Sequence, residues 1–158
     1  MLSNGNVGIG TTNPQANLHV QGNGLFSGYV LQNGVPCFHA SRNAGNLSGN
    51  ITIIYNLVWI NNTNSYNNST GIFTAPVSGN YYFNVFGMGN LNLIYLDIRK
   101  NGSSIGARPY ENNGGTYQAA SGSVIVYLQT NDQVYVHLID TTTMYGGDHN
   151  GFSGFLIG

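Results

Sequence analysis

Period-two alternation of apolar side chains is the feature that most limits what this chain can become. In Tyr81-Tyr82-Phe83-Asn84-Val85-Phe86 one face carries Tyr81, Phe83 and Val85. Ile94, Leu96 and Ile98 alternate with Tyr95, Asp97 and Arg99; Val124, Val126 and Leu128 with Ile125 and Tyr127; Val134, Val136 and Leu138 with Tyr135, His137 and Ile139. No stretch sustains a helical period, so the chain reads as all-β. Several of these strands are apolar on both faces, and such strands are buried on both faces. A second sheet of the same chain covers one face. The other calls for a neighbouring subunit.

Turn chemistry separates the strands at Asn33-Gly34, Ser78-Gly79-Asn80, Asn101-Gly102, Asn113-Gly114-Gly115, Asn131-Asp132 and Gly146-Gly147-Asp148. Asn101-Gly102 between two strands is a two-residue hairpin signal, because both residues tolerate positive φ. Many short strands with regular turns indicate a sandwich or barrel. Only 6% of residues are charged although 41% are hydrophobic, against roughly a quarter charged in an ordinary soluble domain. Amides and hydroxyls therefore solvate the surface, and little charge repulsion opposes self-association.

The net charge is −1, and Arg42, Arg99, Lys100 and Arg108 form no run, so nucleic acid is not an expected partner. No apolar stretch is long enough for membrane insertion. Met1-Leu2-Ser3-Asn4-Gly5 has neither a basic nor an apolar leader region, so no secretory signal is expected. Cys37 is the only cysteine, which excludes an intrachain disulfide and reads as a small buried hydrophobe. The first 33 residues are Gly-rich, with short extended candidates at Leu18-His19-Val20 and Leu25 to Val30 joined by a Gln21–Gly24 linker. They cannot bury enough surface to fold alone. The expected division is an extended segment over 1–33 and one domain over 34–158.

Gly71-Ile72-Phe73-Thr74-Ala75-Pro76-Val77-Ser78-Gly79-Asn80-Tyr81-Tyr82-Phe83 resembles the signature of the C1q family. Tyr66 matches the tyrosine that usually precedes it. Val35 to Ala40, with Phe38, resembles the opening strand, and Leu96 to Asn101-Gly102 a strand with its turn. Ser121-Gly122-Ser123-Val124 and Asp132-Gln133-Val134 resemble the next hairpin, and Phe152-Ser153-Gly154-Phe155-Leu156-Ile157 the closing strand. The resemblance implies a C1q/TNF-like jelly roll of two antiparallel five-stranded sheets with adjacent termini. It also implies a homotrimer with aromatic interfaces, and it makes Phe38, Phe73, Pro76, Gly79, Tyr81, Phe83, Asn101, Gly102, Gly122, Phe152, Gly154 and Phe155 core or interface positions. The sequence departs from the family in lacking a Gly-X-Y collagen repeat ahead of the domain. Gly5-Asn6-Val7-Gly8-Ile9-Gly10-Thr11-Thr12-Asn13-Pro14, with Leu18-His19-Val20, resembles a short repeat of phage tail fibres found just before a C-terminal head.

No catalytic constellation is visible. Asp132 suits a turn and Asp97 the polar face of a strand. Asp140 and Asp148 flank the loop 141–147, but no general acid in a desolvated setting accompanies them. His19, His39, His137 and His149 lack zinc-ligand spacing. No cofactor is expected; calcium, held by Asp140 and Asp148 as the resemblance allows, is a weaker option than solvated carboxylates. Recognition remains, at two loops rich in aromatics and amides: Arg108, Tyr110 and Asn112 in one, Tyr145, Asp148 and His149 in the other. Tyrosines and amides suit a glycan or a protein surface. Trp59, flanked by Leu57, Val58 and Ile60, is expected to be buried.

The leading expectation is a trimeric, non-enzymatic fibre tip on a virion that binds a host glycan or protein receptor and joins upstream fibre or tail proteins. A structural trimerisation cap, a polysaccharide-cleaving tailspike and a bacterial or spore surface protein are the competing readings.

Overall fold

A computed structural model of the chain describes residues 5–25, 34–90, 94–106, 108–111, 117–139 and 143–157, without the side chains of Asn90, Tyr110, Glu111 and Asp148. Two compact units result, Met1–Asn33 and Gly34–Gly158. In the first, strands β1 (Val7–Ile9) and β2 (Leu18–Val20) pair in parallel, Val7 opposite Leu18 and Ile9 opposite Val20. Asn17 O accepts the Val7 N–H and Ile9 O the Gln21 N–H, both at 2.8 Å. Gly10 makes the close return possible: its φ is +73°, and a Cβ there would lie 2.6 Å from Gln21 O. Of the second candidate strand, only Leu25 falls within the described residues.

The second unit contains β3 (Cys37–Arg42), β4 (Leu47–Ser48), β5 (Ile51–Thr52), β6 (Leu57–Asn61), β7 (Tyr66–Asn67), β8 (Ile72–Thr74) and β9 (Gly79–Asn90). Then follow β10 (Ile94–Lys100), β11 (Ser103–Ser104), β12 (Tyr110–Glu111), β13 (Tyr117–Leu128), β14 (Gln133–Leu138), β15 (Thr143–Met144) and β16 (Gly147–Leu156). They form two antiparallel sheets. One runs β4-β15-β9-β16-β3-β6 with β13 on the other edge of β9; the other runs β11-β10-β14-β8-β7 with β12 on β10 and β5 on β14. Each sheet has seven strands, not the five expected. The surplus comes from two-residue strands that share one edge of a longer partner, as β5 and β8 share β14.

The segments resembling a hairpin at 121–134 also differ from expectation. Strand β13 pairs with β9 along its whole length, whereas β14 pairs with β10 and β8, so the Gln129–Asp132 turn carries the chain from one sheet to the other. Asn101-Gly102 does form the two-residue turn between β10 and β11, with φ of 49° and 91°.

The core lies between the sheets. Phe38 stacks on Tyr66 at 4.7 Å and meets Phe73 at 5.2 Å and Phe152 edge-on at 4.9 Å. Tyr81, Phe83, Val85, Ile94, Leu96, Ile98, Val134, Val136 and Leu138 are buried with it, as are Ile53, Tyr55, Leu128 and Met144. Gly154 is buried against this cluster, where a Cβ would come within 2.4 Å of the Phe83 ring. Among the other signature positions Gly79 is buried, Gly122 is half-buried, and Pro76 and Phe155 are exposed.

Tyr66 also ties two loops together. Its hydroxyl accepts the Tyr55 N–H at 3.2 Å and donates to the Tyr55 carbonyl at 3.1 Å. Burial pushes its pKa well above the ordinary tyrosine value, against the effect of the bond to Tyr55. Tyr66→Phe keeps the stack on Phe38 but strands both backbone groups of Tyr55, and is expected to cost about 1–3 kcal/mol. Tyr55→Phe is the opposite case, because the Tyr55 hydroxyl is buried with no hydrogen-bond partner among the described residues. It is expected to leave stability unchanged or raise it. Urea midpoints of the two variants check the contrast.

Asp132 fastens the turns at one end of the sandwich. It accepts from Asn101 Nδ2 at 2.7 Å and the Gln129 N–H at 2.8 Å, and pairs with Lys100 Nζ at 2.8 Å. The Lys100 and Asn101 side chains, then the Gln129 N–H, hold its pKa down at about 2, from 3.8. A depressed carboxylate adds stability above its unfolded value, and that stability is lost as pH falls through the folded value. Thermal midpoints are therefore expected to fall between about pH 4 and 2, and to fall less in Asp132→Asn.

Candidate functional site

The two sheets present opposite kinds of outer face. Outward on the β9 sheet stand Tyr82, Phe86 and Met88 from β9, Tyr117, Ile125 and Tyr127 from β13, and Phe155 from β16. Tyr117 and Ile125 are 66% and 65% exposed. The doubly apolar strands thus bury one face within the chain and leave the other open. Trp59 belongs to this open face at 63% exposure, contrary to the burial expected from its neighbours. Trp59 is the extra residue at a register shift in the β3–β6 pairing, between Val58 opposite Ala40 and Ile60 opposite His39, and its Nε1 donates to Oγ of the buried Ser41 at 3.1 Å. Cys37 is half-buried, not in the core; its strand partner is the exposed Phe155.

A cavity of about 320 Å³ opens on the same face, lined by Phe86, Met88, Ala119, Ser121 and His149. Tyr145 lies near it, its N–H on Met88 O at 2.8 Å and its ring 5.9 Å from Tyr117. Of the second recognition loop, then, Tyr145 and His149 sit on the β9 sheet. The Asp148 side chain, Asp140, Asn112 and the Tyr110 side chain lie outside the described residues.

Arg108 belongs to the other sheet. Leu96 N–H bonds to Pro109 O at 3.0 Å, and β12 continues along β10 with Tyr110 opposite Tyr95. The Arg108 guanidinium lies over the Tyr95 ring at 5.0 Å, and its Nε is 3.6 Å from Asp97 Oδ1. Asp97 points away from the core, as the alternation of β10 requires, yet it is 1% exposed. Arg99 Nε covers Oδ2 at 2.8 Å and Ser104 Oγ binds Oδ1 at 2.5 Å. The sequence missed this cluster because 97, 104 and 108 meet only once β11 and β12 fold back on β10. Opposite Asp97 and Arg99 stand His137 and Tyr135, and His137 Nε2 bonds to Asn50 Oδ1 at 2.8 Å. Burial, then the Arg99 charge, holds the His137 pKa below 6.5 against the pull of Asp97, which favours the neutral ring at neutral pH. Among the described residues, no three His, Cys, Asp or Glu side chains converge to hold a metal ion.

Two seven-stranded sheets face to face, with an aromatic core and one apolar outer face, define an antiparallel β-sandwich. Residues 37–157 match the C1q domain, and the chain belongs to the C1q domain family. Among curated proteins it is 31% identical over 109 residues to mouse collagen alpha-1(X) chain and 32% identical over 119 residues to mouse complement C1q tumor necrosis factor-related protein 7. These matches take in 66% and 68% of this chain but only 16% and 38% of the relatives. Among solved structures, the globular domain of zebrafish complement 1qA superposes with a TM-score of 0.66 at 20% identity, over 78% of this chain and 98% of that one. Murine APRIL gives 0.63 at 12% identity, over 77% and 98%. The last two likenesses carry the jelly-roll fold.

Proposed function

We propose that this chain is the trimeric, non-enzymatic head of a phage-type tail fibre, which registers the fibre and attaches the virion to a host glycan or surface protein. The open apolar face of the β9 sheet carries the reading. Tyr117, Ile125, Tyr127, Phe86 and Phe155 are too many apolar side chains to leave in water on one face. Two further copies of the chain cover them, as the C1q resemblance implies. The Val7–Pro14 segment, similar to a tail-fibre repeat, supports the virion over a bacterial or spore surface and links the head to fibre or tail proteins upstream. Attachment then falls to surfaces the trimer leaves free, and three weak sites gain avidity through effective concentration.

The polar cluster around Arg108 favours a binding head over a bare cap. Light scattering is expected to give a mass near three times 16.9 kDa, and a glycan array or host-cell adsorption assay a positive signal. A solitary chain would overturn the trimer. A trimer silent on both arrays and cells would leave only the cap.

A further inference from the structure

We propose that the outer face of the β10–β14 pair is a recognition surface for an acidic glycan, with Arg108 and Arg99 taking its carboxylate or sulfate and Asp97 positioning both guanidiniums. This rests on the receptor-binding reading and names the ligand chemistry at one of its loops.

Charge is scarce in this chain, with four Lys and Arg in 158 residues. Two of the four converge on one carboxylate. Among the described residues, Asp97 is the only carboxylate in ion-pair reach of either guanidinium. Its oxygens are already engaged by Arg99 and Ser104. A structural ion pair needs one arginine; the second leaves the cluster with a net positive unit at the surface, where Arg108 is 47% exposed. A buried carboxylate that hydrogen-bonds one guanidinium through its Nε and draws a second to 3.6 Å gathers planar donors for an incoming oxyanion, the geometry arginine serves best.

The cluster is also rigidly mounted. Arg108 rests on the Tyr95 ring. Its neighbour Pro109 is hydrogen-bonded to β10 and packs on Gly122, where a Cβ would come within 2.9 Å of the proline ring. Little ordering entropy is then lost on binding.

The surroundings select a polyhydroxylated partner. Tyr135 and the exposed Asn50 offer a hydroxyl and an amide, while His137 holds Asn50 by its Oδ1. Tyr135, beside Arg99 on the next strand, is half-buried and gives a ring edge for a sugar. The exposed aromatics gather on the opposite sheet, so the surface that assembles copies and the surface that reads the ligand are different faces of the sandwich.

The test uses the full chain as a trimer, with 6′-sialyllactose, lactose and a heparin hexasaccharide as probes in surface plasmon resonance. Binding is expected to the sialylated probe, the sulfated probe or both, in preference to lactose, and to weaken as salt rises. Arg108→Ala, which leaves Asp97 paired with Arg99 and Ser104, is expected to lose at least about ten-fold in affinity with mass and thermal midpoint unchanged. Arg108→Lys should recover only part of it. Response to one acidic probe alone identifies the group read. Equal binding of lactose, or unchanged affinity in both Arg108→Ala and Arg99→Ala/Arg108→Ala, overturns the inference. An array signal confined to neutral glycans and unchanged in Arg108→Ala overturns it while the receptor reading stands. Silence on arrays and host cells removes both.

Discussion

Phe38→Ala is expected to lower stability by about 3–5 kcal/mol and the thermal midpoint by roughly 10–20 °C for a domain of this size. The ring is 2% exposed. It stacks flat on Tyr66, meets Phe152 edge-on, and touches Phe73 and Phe83, so four aromatic partners lose a neighbour at once. The void cannot close cheaply. Gly154 already lets Phe83 and Phe38 approach its backbone as far as they can, and the rings from both sheets are held by strand register. Phe155→Ala, one residue along β16 but on the outer face, is the control. Within one chain its exposed ring has little to lose, so any cost there reports assembly instead. Calorimetry over a range of protein concentrations separates the two, because the midpoint of an oligomer moves with concentration. A Phe38→Ala loss below about 1 kcal/mol would mean that the aromatic cluster does not carry the sandwich.

How much of this was legible beforehand follows from the range of each signal. Local signals were readable. Asn101-Gly102 announces its turn through backbone conformation alone, and the inward sets Tyr81/Phe83/Val85 and Leu96/Ile98 follow from period two. Pairing was not local, and it failed in proportion. Nothing in Ser121 to Val134 distinguishes a hairpin from a crossing between sheets, because the same turn residues serve both. The β1–β2 ladder is parallel, so no tight turn marks it. Where both faces of a strand are apolar, periodicity cannot say which is covered, and the irregularity in β6 falls at Trp59 itself, which is left exposed. The site shows the same limit. Arg108 could be singled out as a candidate from its loop, but the carboxylate beside it lies eleven positions earlier, on β10. Asp97, placed by its sequence on the polar face of a strand, is the buried centre of that cluster.

Ile125→Glu is expected to turn a particle near three times 16.9 kDa into one near 16.9 kDa, with its β-sheet circular dichroism intact. Ile125 is 65% exposed in the single chain, so a carboxylate there displaces no core packing and costs that chain about 1 kcal/mol at most. The proposed trimer faces a different cost. If Ile125, Tyr127 and Tyr117 meet sister chains, assembly must desolvate three new carboxylates among aromatic rings, at several kcal/mol each without a partner. That cancels what two or three exposed side chains per subunit return on burial at about 1.5–3 kcal/mol apiece, enough to tip a micromolar association toward the single chain. Gln133→Asp, an exposed position on the outward side of β14, puts a like charge on the opposite sheet and is expected to leave the mass unchanged. Light scattering at micromolar concentration reads both. Dissociation by Ile125→Glu alone assigns assembly to the β9 sheet and leaves the Arg108 surface free. Dissociation by Gln133→Asp alone would reverse the two faces and bury the proposed glycan site, so the same pair of masses tests the division of labour between them.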